Sequence, residues 1–177
     1  MNNTLIQSIA IVAWLIITAS YYFKNKLHFV ILQIISYVLY SIHLYLLGGI
    51  TGALANIFSI FILLLIMYKE KAKKPCYFII GIIFVLFGID LVVSYDGIAS
   101  IISVLACVLP ILTNWQNNFY IIKMGGIIGA ILWLIYAIFY GSYSIIIMNI
   151  IFIIITLYSI YKQRKDEKND KLQRKNK

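Results

Sequence analysis

Of 177 residues, 63% are apolar and only 12% charged, against about 25% charged in a soluble domain. A water-soluble core of this size cannot hide that much apolar surface, and water does not tolerate it outside. The net charge of +9 does not mark a nucleic-acid binder, because the cations lie in short loops and a tail, with no aromatic-interleaved basic face.

The first apolar run follows MNNT, without a basic leading segment, and is too long for a secretory signal. Its basic residues, Lys24 and Lys26, come after it, as expected of a retained first helix. A spanning helix needs about 17–25 mostly apolar residues. Breaks at charge, Pro or Gly predict seven spans: Leu5–Phe23, Phe29–Leu47, Ile50–Tyr68, Tyr77–Val93, Ile98–Thr113, Phe119–Tyr140 and Tyr143–Tyr161. The tail Lys162–Lys177 is polar and is expected to be flexible or a frayed helical extension. Cys76 and Cys107 have neither the number nor the spacing of a disulfide framework or a metal site.

Placing the N-terminus outside puts all 15 Lys and Arg residues on the inner side. They fall in the first inner loop, in the Lys69–Lys74 segment, at Lys123 and in the tail. The positive-inside rule therefore predicts seven spans with the N-terminus out and the C-terminus in. These cations are expected to set topology, with attraction to anionic lipid as the alternative role.

Sliding the chain by 93 residues aligns its halves. Gly48 falls on Gly141, Asn56 on Asn149, Tyr68-Lys69 on Tyr161-Lys162, and Tyr40 on Trp133; 12 of 43 positions over Leu27–Lys69 are identical. The expected organisation is a first three-helix unit (1–68), a basic loop and linker helix (69–97), a second three-helix unit (98–161) and a basic tail (162–177). An odd linker gives both units one orientation, so the expected fold is an all-α membrane protein of two parallel three-helix bundles. In transporters built of such repeats the substrate lies between them near the midplane.

The stretch LQIISYVLYSIHLYLLGGITGALANI resembles the YgjV-type family of bacterial inner-membrane proteins, with Gln33 early in the second span, His43 before Leu46-Leu47-Gly48, and Asn56 in the third. The 3+1+3 plan also resembles the SWEET sugar transporters and the nicotinamide riboside transporters. That resemblance implies a membrane carrier and names no substrate. SWEET-like half-transporters hold a sugar with a Trp and an Asn on the second and third helices. Carried over by motif, this implies Tyr40, Asn56, Trp133 and Asn149 as substrate-binding residues.

The residue types suit that role. An amide offers two donors and an acceptor, which match hydroxyls or a base edge, and an aromatic face stacks on the apolar side of a sugar or base. The alternative is that the two Asn residues are interhelical glue. Gln33, Tyr37 and Tyr40 form one helical stripe and Ser36, Tyr40 and His43 another, which would line a pore or pack tightly against a neighbour. Pro110 would kink its span, and the resemblance implies a hinge there, though its counterpart is Ile17. Gly125–Gly129 has the small-xxx-small spacing of close helix packing. Asp90 and Asp96 are the only outer acids, and Asp90, near the end of span four, is expected to reach the headgroups.

The expectation is passive, alternating-access movement of a small neutral polar solute: a sugar, nucleoside or vitamin precursor. The alternative is a non-transporting receptor, assembly factor or scaffold on the same plan, in which the central Asn groups would be paired and the centre filled. An enzyme is not expected, because no HExxH, paired acids or supported Ser-His arrangement occurs. The expected partners are the bilayer and a small-molecule solute, with a homo-oligomer open; no cofactor, metal or nucleic acid is expected.

Overall fold

The computed structural model describes residues 3–21, 23, 25–72 and 78–175, with side chains described as far as residue 70 in the first part and residue 165 in the second. Lys24, Lys73, Lys74, Cys76, Tyr77 and Lys177 lie outside the described residues. Among those described there are seven helices: α1 (Asn3–Ser20), α2 (Lys26–Leu46), α3 (Ile50–Ala72), α4 (Phe78–Ser94), α5 (Ile98–Asn114), α6 (Phe119–Phe139) and α7 (Tyr143–Lys175). Five are long and apolar enough to cross a bilayer, while α4 and α5, at 17 residues each, are shorter apolar helices near the lower limit for a span.

Helix ends depart from the predicted spans because capping, rather than hydropathy, sets them. α2 starts at Lys26, before the apolar run, because the Asn25 side chain accepts the Leu27 N–H. Asn118, 93 residues on, caps α6 in the same way through Tyr120. α2 stops at a left-handed Gly48 (φ 84°) and α6 at Gly141 (φ 61°). Each is followed by the same closure, Gly49 N–H to Leu44 O at 2.9 Å and Ser142 N–H to Ala137 O at 3.0 Å, the glycine stop that a Cβ would strain. α7 does not end with its apolar run: it continues as helix through the basic tail to Lys175.

Six helices close a ring. Each of α1–α2–α3 and α5–α6–α7 packs in series, and the two sets meet at an α3–α5 seam and an α1–α7 seam. α4 lies outside the ring, against α3 and α5. Its packed stripe is Ile79, Ile83, Phe87 and Asp90, one face at helical spacing. Asp90 therefore does not reach the headgroups as expected. It is fully buried, with Oδ1 accepting from Ser94 Oγ at 2.8 Å and Oδ2 without a partner among the described residues. Sharing a face with three buried apolar residues turns it inward.

Candidate functional site

A cavity of about 60 Å³ lies inside the ring. Each of the six ring helices contributes to its wall and α4 contributes nothing. It has room for a few water molecules, and no charged side chain lines it.

Tyr40, Asn56, Trp133 and Asn149 all stand on this wall. The two Asn residues are held alike. Asn56 Nδ2 donates to Gly52 O at 2.8 Å and Asn149 Nδ2 to Ile145 O at 2.9 Å, each spending one N–H on its own preceding turn. Neither amide makes another hydrogen bond among the described residues, and neither reaches a neighbouring helix. Among the described residues they therefore do not bond helix to helix, and each amide keeps an acceptor and a donor unused. Trp133 is held edge-on to Tyr136, centroids 5.3 Å apart.

Of the expected pore-lining residues, only Tyr37 is on the cavity wall. Gln33 and His43 are turned into helix contacts. Gln33 Oε1 accepts from Asn114 Nδ2 of α5 at 2.8 Å. His43 is fully buried, with Nδ1 2.8 Å from Ile6 O and Nε2 2.9 Å from Ser142 Oγ. A carbonyl can only accept, so Nδ1 carries a proton, and the serine hydroxyl, which can donate or accept, completes the ring's bonding at Nε2. Pro110 keeps its place in a continuous α5 and lines the cavity. Its ring presses on α6 where a Cβ on Gly129 would come within 2.4 Å of Cγ, and one on Gly125 within 1.9 Å of Thr113 Oγ1. The Gly125/Gly129 spacing is therefore what lets α5 and α6 approach.

Three wall residues were missed by the sequence reading. Trp14 lines the cavity with an indole N–H that has no partner among the described residues. Tyr21 and Phe152 stand edge-to-face, centroids 5.1 Å apart. Both also line a second cavity of about 300 Å³ toward the basic end, so this pair separates the two spaces. Aromatic side chains in apolar spans carry no distinguishing signal, and only the exposed face of each helix, set by packing, selects them.

At the Gly48/Gly141 end the ring is tied shut by contacts between the two sets. His43 reaches Ser142, and Tyr136, its counterpart 93 residues on, receives the Gly52 N–H at 3.1 Å. Thr51 pairs with Ser100 at 3.1 Å across one seam. Across the other, the counterpart residues Ser144 and Gln7 are hydrogen-bonded. At the basic end of the α3–α5 seam, Lys26 binds Glu70 at 2.7 Å and Asn117 Oδ1 at 2.9 Å. Lys69 there donates to Trp115 O at 2.9 Å and lies 4.1 Å over the Trp115 ring.

No curated protein and no solved structure matches the chain. The model of one family, Imp-YgjV, described as bacterial inner membrane protein, matches residues 4–167. That span reaches from the first turn of α1 into the basic extension of α7, and with the apolar helices it makes the protein a multi-pass membrane protein belonging to the Imp-YgjV family of bacterial inner membrane proteins.

Proposed function

We propose that the protein is a facilitator that moves a small neutral polar solute through the ring, on two parallel three-helix units related by a duplication. In this reading the N-terminus is outside and the basic end is cytoplasmic, as the one-sided placement of Lys and Arg favours. The duplication is supported by the equal lengths, 93-residue offset and matching caps of α2 and α6.

The observation that carries the reading is the placing of both Asn amides, each with only one N–H spent on its own helix, with Tyr40 and Trp133 on an uncharged cavity between the units. A solute with hydroxyls or a base edge fits such a wall. The space admits only water-sized guests until the seams part, as alternating access requires. With no acid or cation on the wall, movement runs down a gradient; Asp90 lies off the cavity, behind α3 and α5. A scaffold would favour a filled centre with paired amides.

The test is thermal unfolding of the purified protein against a panel of sugars, nucleosides and vitamin precursors, beside Asn56→Ala/Asn149→Ala. A binding solute at about 100 times Kd adds roughly 2.7 kcal/mol. A stabilising solute that loses its effect in the variant is expected. One that keeps its effect places binding elsewhere, and silence across the panel favours the scaffold.

A further inference from the structure

The second cavity, about 300 Å³, opens at the basic end along the α1–α7 seam, at the small end of ligand pockets of about 300–1,000 Å³. Lys123 of α6 reaches into it from within a membrane helix and is 8% exposed. Its Nζ donates to Ser159 Oγ at 3.0 Å and Gln163 Oε1 at 3.3 Å. No carboxylate among the described residues pairs with it. Lys162 and Thr156 line the same cavity, as does Thr18, and the Thr18 Oγ1 is buried with no partner among the described residues.

The fold does not need these groups there. The positions 93 residues away are Val30 for Lys123, Leu63 for Thr156, Ile66 for Ser159 and Ile111 for Thr18. All four belong to one apolar cluster, none more than 1% exposed, which α4 joins through Ile79 and Ile83. At these four positions one seam is filled with hydrocarbon, while the other holds the Lys123 ammonium, three hydroxyls and a void, with Lys162 at its edge as its counterpart Lys69 stands at the edge of the first. An ammonium buried without a counter-ion is unfavourable, and intramembrane cations mark ligand or ion sites. What complements this set is a compact oxyanion: a phosphate offers negative charge to the ammonium groups and acceptor oxygens to the hydroxyls.

We propose that the Lys123 cavity is a phosphate-binding site. Its ligand is a phosphate group presented by a phospholipid headgroup or by a soluble phosphorylated solute. Basic pockets between membrane helices bind headgroups in this manner. The site stands outside the ring cavity and does not depend on transport.

The experiment uses the full chain in a neutral, phosphate-free detergent, followed by thermal unfolding. The protein alone is compared with protein given phosphatidylglycerol, and with protein given inorganic phosphate. Near a hundredfold excess over Kd, a gain of about 5–10 °C in Tm is expected. Lys123→Met should abolish the gain, while Lys165→Met, an exposed tail cation, should leave it. A gain with phosphatidylglycerol alone identifies the headgroup as the source; a gain with inorganic phosphate identifies the soluble one. No gain in either arm, or an equal gain in Lys123→Met, overturns the proposal. If Lys123→Met fails to fold, Thr156→Val/Ser159→Ala keeps the ammonium, and an undiminished gain in that variant overturns it equally.

Discussion

The α3–α5 and α1–α7 seams join counterpart helices, and toward the Gly48/Gly141 end they use counterpart contacts: Thr51 with Ser100 in one, Ser144 with Gln7 in the other. Between there and the basic end, where Lys26 and Lys69 close the first seam, they part. The α3–α5 seam is packed with Val30, Leu63, Ile66 and Ile111 and covered by α4. The α1–α7 seam has Lys123, Thr156, Ser159 and Thr18 around a void and no helix over it among the described residues. A shared backbone plan thus leaves the chemistry of each seam free. The linker helix can cover only one of the two, and the covered seam became hydrocarbon while the uncovered one became polar.

The largest expected effect exchanges the two chemistries. Val30→Lys forces an ammonium into a site 1% exposed and should destabilise by more than about 3 kcal/mol or prevent folding. Lys123→Val in neutral detergent without phosphate should stay within about 1 kcal/mol of the native protein, since replacing a buried charge with an apolar group is often neutral or better. Tm of both variants tests this, and similar losses would dissolve the contrast between the seams.

Next comes the tie at the Gly48/Gly141 end. His43→Ala leaves Ile6 O and Ser142 Oγ without their partner and empties a fully buried site. A loss of about 2–4 kcal/mol is expected from unfolding titrations. The smallest effect belongs to its counterpart: Tyr136→Phe removes only the hydroxyl that takes the Gly52 N–H, a change of about 0.5–1 kcal/mol by the same measurement. Equal losses would mean that the two ties are alike in weight despite their different chemistry.

Much of this was legible in the residues. Apolar runs and their breaks located the seven helices of the described residues, and Gly48 and Gly141 fell where α2 and α6 stop. The 93-residue offset singled out Asn56 and Asn149, which face one cavity in the same way. At Gln33 and His43 the residues left cavity lining and helix packing both open. Both are polar in a membrane span, yet neighbouring helices supply their partners, so neither faces the cavity. Asp90 was misread because distance along the helix was weighed above the face it occupies, which Ile79, Ile83 and Phe87 mark as buried.

By itself the sequence determined the medium, the number and bounds of the spans to within a few residues, and the turns. These depend on local quantities: transfer of apolar side chains, capping amides and the backbone freedom of glycine. Only the tertiary structure decided which polar groups were spent on each other and which were left facing a cavity. That depends on which faces meet, and Trp14, Tyr21 and Phe152 look like ordinary lipid-facing aromatics until α1 and α7 are set side by side. The same meeting of faces left Lys123 in a cavity, where its position in the chain marked only the side of the membrane.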